Sequence, residues 1–155
     1  MTFPADQAFS SRRQLVAGAL GLGLSIVLRP ALAAAGDLTV AVSSYTGGAK
    51  INTGKVRLEI AELVDNGNVV PFTVTVESPM TASSHVKTIA VFNEKNPQRD
   101  VSRFILGPRA GKASVSTRIR LATSQQLVAV AQLSDGSYWS HTVDVIVTLA
   151  ACIEG

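Results

Sequence analysis

Ala113-Ser114-Val115-Ser116-Thr117-Arg118-Ile119-Arg120-Leu121 is the stretch that decides the fold. Its even positions, Ser114, Ser116, Arg118 and Arg120, are polar, and its odd positions are mostly apolar. Successive side chains of a β-strand point to opposite faces, so this period of two predicts a strand with water on the even side and a core on the odd side.

The same alternation recurs on either side in short pieces parted by turn residues. Val56–Ile60 is one strand, and Asp65-Asn66-Gly67-Asn68 follows it with the Asn-Gly pair expected of a hairpin. Val70–Val76 places Val70, Phe72, Val74 and Val76 on one face. Pro71 has no N–H to give a ladder and belongs near a strand start or on an edge. Ser78-Pro79-Met80-Thr81 interrupts the pattern, residues 86–92 resume it, and Asn93-Glu94-Lys95-Asn96-Pro97 reads as a polar turn. Residues 101–106 form a further strand closed by Gly107-Pro108. Residues 126–133 are apolar on both sides, as a central strand would be. Ser134-Asp135-Gly136-Ser137 turns the chain into Tyr138–Leu149, where Trp139, Val143, Val145, Val147 and Leu149 share a face. Residues 36–54 stay unassigned, since residues 38–42 read equally as a strand or a short helix.

About seven short strands at this spacing predict an all-β fold, an immunoglobulin-like antiparallel β-sandwich, with an up-and-down barrel as the competing architecture. No Cys…Trp…Cys pattern is present, so an antibody-type domain is excluded.

Before the first strands stands a different kind of segment. Arg12-Arg13 opens an apolar run from Leu15 to Leu28, Arg29-Pro30 stops it, and Ala31-Leu32-Ala33-Ala34-Ala35 supplies small residues for a signal peptidase. These are the basic, apolar and cleavage regions of an export signal, and the paired arginines fit the twin-arginine route, which carries folded proteins. The run falls short of the roughly 20 residues that span a bilayer. The expected organisation is therefore a signal peptide over 1–35 cut after Ala33 or Ala35, a domain over 36–149 and a C-terminal arm over 150–155. The expected compartment is the periplasm, with no membrane attachment once the signal is removed.

The 155 residues suffice for one compact domain. Their formal charge is +3. The signal segment takes away three of the 14 basic residues and one of the 11 acidic ones, and the remainder sits near neutrality, at about +1. No cluster of basic residues interleaved with aromatics is present, so a nucleic-acid partner is not expected. One cysteine excludes an internal disulfide, and two histidines argue against a self-contained metal centre. No cofactor is expected.

Signatures of enzymes are missing: the chain has no G-x-S-x-G, H-E-x-x-H, P-loop or dinucleotide fingerprint. His85 falls in a loop and reads as a solvated residue; His141, on the apolar parity of the last strand, reads as a partly buried, hydrogen-bonded one. Glu59, Glu62, Glu94 and Asp100 border strand ends and turns, as solvated carboxylates do. Arg118 and Arg120 make a local positive stripe, either an edge that discourages aggregation or a face for an anion or partner.

Cys152, in Ala150-Ala151-Cys152-Ile153-Glu154-Gly155, lies beyond the last strand on an exposed terminus rather than inside a strand on its core side. A thiol so placed can reach another protein's pocket, and its thiolate is a good nucleophile. Placement alone leaves a functional thiol, an intermolecular disulfide and an incidental residue all open. A thiol enzyme acting alone needs a base beside the sulfur, and the sequence places none there.

Six blocks, taken in order, carry a family resemblance. They are Gly54-Lys55-Val56-Arg57-Leu58-Glu59-Ile60, Asn66-Gly67-Asn68-Val69-Val70-Pro71, Glu77-Ser78-Pro79-Met80-Thr81, Val91-Phe92-Asn93-Glu94-Lys95-Asn96-Pro97, Val115-Ser116-Thr117-Arg118-Ile119-Arg120-Leu121-Ala122 and Leu133-Ser134-Asp135-Gly136. Together they resemble SoxY, the sulfur-carrier subunit of the periplasmic thiosulfate-oxidising Sox system. The resemblance implies an immunoglobulin-like sandwich paired as a heterodimer with a SoxZ-like subunit. It implies a carrier without catalysis of its own, holding sulfur intermediates covalently on Cys152. It also implies passing contacts with a c-type cytochrome, a manganese-dependent thiosulfohydrolase and a molybdenum-haem sulfane dehydrogenase. The family's tail is typically Gly-Gly-Cys-Gly-Gly. Here Ala150 and Ala151 restrict the backbone, while Ile153 and Glu154 add bulk and charge. The other reading kept open is an exported interaction subunit, a diverged paralogue whose cysteine is idle or links two chains.

Overall fold

The computed structural model of the chain describes residues 33–149. The signal-peptide reading rests on residues that lie almost wholly outside this range, and the arm with Cys152 lies outside it entirely.

Alternation becomes strands wherever it was read, and two sheets form. The strands are β1 (Ile51–Thr53), β2 (Val56–Ile60), β3 (Leu63–Asn66), β4 (Val70–Val76), β5 (Val86–Asn93), β6 (Asp100–Ile105), β7 (Ser114–Ile119), β8 (Gln125–Leu133) and β9 (Tyr138–Leu149). The larger sheet runs β1-β9-β8-β5-β6, with β3 also on β9, and the smaller runs β2-β4-β7. The expected sandwich is present, and both sheets end in open edges instead of closing into a barrel. The expected count of about seven strands is corrected to nine among the described residues. The additions β1 and β3 are three and four residues long and lie parallel to β9 on one edge, too short to show a period in sequence.

The core fills the space between the sheets. Val70, Phe72, Val74 and Val76 of β4 face Ile89 and Val91 of β5, Leu127, Ala129 and Ala131 of β8 and Val145 of β9, all buried. Each large apolar side chain removed from water in this way contributes roughly 1.5–3 kcal/mol. β8 is buried along nearly its whole length, as its double-sided apolar reading required.

Residues 38–42 resolve as helix. They belong to α1 (Ala33–Thr46), whose Leu38, Ala41, Val42 and Tyr45 pack on Ala90, Phe92, Val128 and Val130. The larger sheet is thus covered on both faces. Leu38 is 6% exposed and Val40 63%, which a strand with both on one face would not give. Gly47 and Gly48 end the helix with positive φ of 64° and 77°, and Gly48 N–H donates to Ser43 O at 3.0 Å, a C-terminal cap.

The Asn66-Gly67 hairpin is also corrected. β2 and β4 do pair antiparallel, but β3 intervenes and crosses to the other sheet to join β9. Asn66 Oδ1 accepts from Asn68 N–H at 2.9 Å, so the asparagine makes its turn through its side chain rather than through a two-residue loop. The 134–137 turn behaves as read. Asp135 Oδ1 accepts from Ser137 N–H and Oγ–H at 2.9 and 2.7 Å, and these bonds hold its carboxyl below the ordinary carboxylate range.

Candidate functional site

Each of the last four residues of β9 is hydrogen-bonded outside its own strand, three of them to residues 62–67 and one to Ser124. Ile146 N–H donates to Glu62 O at 2.7 Å. Val147 N–H donates to Ser124 Oγ at 2.9 Å. Thr148 Oγ1–H donates to Asp65 O at 3.1 Å. Leu149 O accepts from Gly67 N–H at 2.9 Å, and Gly67 O in turn accepts from Leu121 N–H at 2.8 Å. A strand end normally frays; this one is held by bonds worth roughly 0.5–1.5 kcal/mol each. Cys152 follows three residues later, so the point from which it departs is fixed even though the cysteine itself lies outside the described residues.

The same end of the sandwich is locked by an amide network that reads in sequence only as a polar turn. Asn93 and Gln125 are 1% and 4% exposed. Asn96 Oδ1 accepts from Ala122 N–H at 3.0 Å and Gln125 Nε2 at 2.7 Å, while Asn96 Nδ2 donates to Arg120 O at 2.7 Å. Asn93 Oδ1 accepts from Asn96 N–H and its Nδ2 donates to Gln98 O. Lys95 N–H donates to Gln125 Oε1. Buried amides survive only when such bonds are made. The one signal in the sequence is the recurrence of Asn and Gln at 93, 96 and 125 beside strand ends.

The remaining candidates are dispersed. His141, expected to be partly buried, is instead exposed on β9, where neither β1 nor β3 pairs alongside it, and it accepts Leu58 N–H on Nδ1 at 3.1 Å, which puts its ring proton on Nε2. His85, before β5, lies with Nδ1 3.2 Å from Thr81 O, a bond in which the ring donates. The two are engaged with different segments. Glu59 pairs with Arg57 at 2.9 Å on the surface, and Asp100 with Arg103 at 3.0 Å. Glu94 Oε2 accepts Gln126 N–H at 3.1 Å and fastens the 93–98 loop to β8. Among the described residues no group of three His, Cys, Asp or Glu converges as a metal site would need.

Arg118 and Arg120 are exposed at the β7 edge, next to the arm-bearing end. Thr117, expected to face the core, keeps that parity opposite buried Phe72 but is exposed, because no strand continues the smaller sheet past β7.

Comparison with known proteins sharpens this picture. The family described as sulfur oxidation protein SoxY matches residues 42–152, a span that reaches the cysteine. No curated protein matches the chain. The sulfur carrier protein SoxY from Chlorobium limicola f thiosulfatophilum is similar in structure, with a TM-score of 0.62 and 27% identity over 73% of this chain and 93% of that one. A superoxide reductase (neelaredoxin) from Ignicoccus hospitalis follows at a TM-score of 0.56 and 18% identity, covering 63% of this chain and 94% of its own. A superoxide reductase from Nanoarchaeum equitans gives 0.52 and 15%, over 62% and 100%. The last two share the fold alone.

Proposed function

The chain belongs to the SoxY family of sulfur oxidation proteins, and from that membership we propose that it carries sulfur intermediates of thiosulfate oxidation covalently on Cys152. The observation that carries this reading is the anchored end of β9 three residues before the sole cysteine, inside the matched span. A carrier needs a rigid body, a short tether and one thiol. The described residues supply the first and fix where the second begins.

The chemistry follows from the thiol. Joining Cys152 Sγ to the outer sulfur of thiosulfate forms one S–S bond, releases the thiol proton and gives up two electrons. The protein holds no acceptor for them, so an oxidising partner, a c-type cytochrome, takes them. The product bears a terminal sulfonate, which a thiosulfohydrolase removes with water, leaving sulfur on the carrier for a sulfane dehydrogenase. The carrier has no part in these steps beyond presentation.

In this reading the 1–35 segment exports the folded chain to the periplasm by the twin-arginine route, and a SoxZ-like subunit completes a heterodimer. Leu63 and Ile146, register neighbours on β3 and β9 and 61% and 58% exposed, offer apolar surface for such pairing. Intact-mass measurement on protein from thiosulfate-grown cells is expected to show sulfur or sulfonate adducts on the peptide containing Cys152. Cys152→Ser is expected to abolish both adducts and thiosulfate oxidation. A variant that sustains normal oxidation would overturn the reading.

A further inference from the structure

Six large apolar side chains of the described residues stand exposed, and four of them gather around the end of β9. Leu63 and Ile146 lie side by side on β3 and β9, on the surface offered to the second subunit. Val69 and Leu149, 62% and 61% exposed, stand at the tip instead. Leu149 is the last residue of β9, and Val69 follows the turn whose Gly67 N–H donates to Leu149 O at 2.9 Å. A lone exposed leucine means little, but two apolar side chains at one tip, with exposed Asn66 and Thr148 beside them, repeat the apolar centre and polar rim of a contact surface. Gly67 O also accepts Leu121 N–H, so the backbone under this patch is held in place before anything meets it. A surface already rigid loses little conformational freedom on contact.

What covers the tip follows from the length of the tether. Three residues separate Leu149 from Cys152, and fully extended they reach roughly 10 Å. An enzyme that works on a group held by Cys152 must therefore bring its reacting atoms within about that distance of the clamped end of β9. Its pocket can lie no deeper than this, and its lip must come down on the surface from which the arm departs.

We propose that Val69 and Leu149 form an apolar seat at the root of the arm, on which the apolar lip of a visiting enzyme's pocket rests while Cys152 is inside. The proposal rests on the carrier reading and adds to it the surface that the enzymes share. Such a seat is small beside stable complexes, which bury about 1,200 Å² or more, and weak contact suits a carrier that must leave one enzyme for the next.

Extracts of thiosulfate-grown cells lacking this chain supply the second subunit and the enzymes. Purified wild-type or variant chain is titrated into them and thiosulfate consumption is followed. Val69→Asn/Leu149→Gln is expected to raise the half-saturating concentration about tenfold while the maximal rate stays within about twofold. Val69→Asn alone, which lies outside β9, should account for about threefold. Ile105→Gln, at the other end of the sandwich and 83% exposed, should behave as wild type. Labelling of Cys152 by iodoacetamide should run at the wild-type rate in every variant, because a small reagent needs no seat. The proposal is overturned if the double variant half-saturates with the parent, if Val69→Asn alone has no effect, or if Ile105→Gln weakens as much. A changed labelling rate also overturns it, since the effect would then belong to the arm. The carrier reading fails separately, when wild-type chain restores no thiosulfate consumption to the extract, and the seat then falls with it.

Discussion

Asn96 ties the 93–98 loop to the 120–125 connection with three side-chain hydrogen bonds, to Arg120, Ala122 and Gln125. Replacing it with alanine removes partners from the Ala122 N–H and from a buried glutamine amide at once. Asn96→Ala is expected to lower unfolding stability by about 1–3 kcal/mol, read from the midpoint of chemical denaturation. Asn68 makes a side-chain bond too, but on the surface and to Asn66 Oδ1, which the Asn68 backbone N–H also uses. Asn68→Ala should therefore change stability by no more than about 0.5 kcal/mol. Equal losses at the two positions would mean that the amide network does not fasten the arm-bearing end. Nothing in the local pattern distinguishes the two asparagines, because the partner of Asn96 lies 29 residues away in sequence. Cys152 is singled out in the sequence for the opposite reason: its place beyond the last alternating strand needs no distant partner to be noticed.

At the scale of elements, strands declared themselves wherever one face was buried and the other wet. β4 reads and folds as a strict alternation, and β8 as a double-sided apolar run. α1 did not, since Leu38, Val40 and Val42 imitate a strand as well as a helix until the far end of the segment is counted. Tyr45 settles it. Its ring meets Phe92 at 5.6 Å and Tyr138 at 5.9 Å between centroids, Arg103 stacks 4.9 Å above it, and its hydroxyl bonds Thr88 Oγ1. Burial of this phenol raises its pKa above the usual value. Tyr45→Ala should cost about 2–3 kcal/mol and open residues 36–46 to hydrogen exchange. Tyr45→Phe, which keeps the ring and loses one hydrogen bond, should cost about 0.5–1.5 kcal/mol. If both variants lose the same amount, the hydroxyl rather than the aromatic packing docks the helix.

For the molecule as a whole, the order of strands governs when the carrier becomes competent. β1 and β3 must find β9 in parallel register, across separations of more than 80 residues, before the last four residues of β9 are clamped. Contacts this distant repay their loop-closure entropy late, so closure of the β9 edge belongs to the end of folding. Under the proposed twin-arginine route, which accepts folded protein, the anchoring of the end of β9 would come before export. Trp139, the sole tryptophan, sits in β9 opposite Asn52 of β1 with Lys55 Nζ 4.6 Å from its ring centroid, so its fluorescence reports that closure. Refolding of the chain without residues 1–35, followed by stopped-flow fluorescence, is expected to take milliseconds to seconds, on the order of other sandwiches rich in distant pairings. Gly54 stands beside this closure with a φ of 116°, which side chains rarely tolerate. Gly54→Ala should therefore speed unfolding more than it slows refolding, since the strained loop forms after the transition state. A variant that slowed refolding alone would place the β1–β9 pairing in the nucleus, and the arm's anchor would then be among the first structures made.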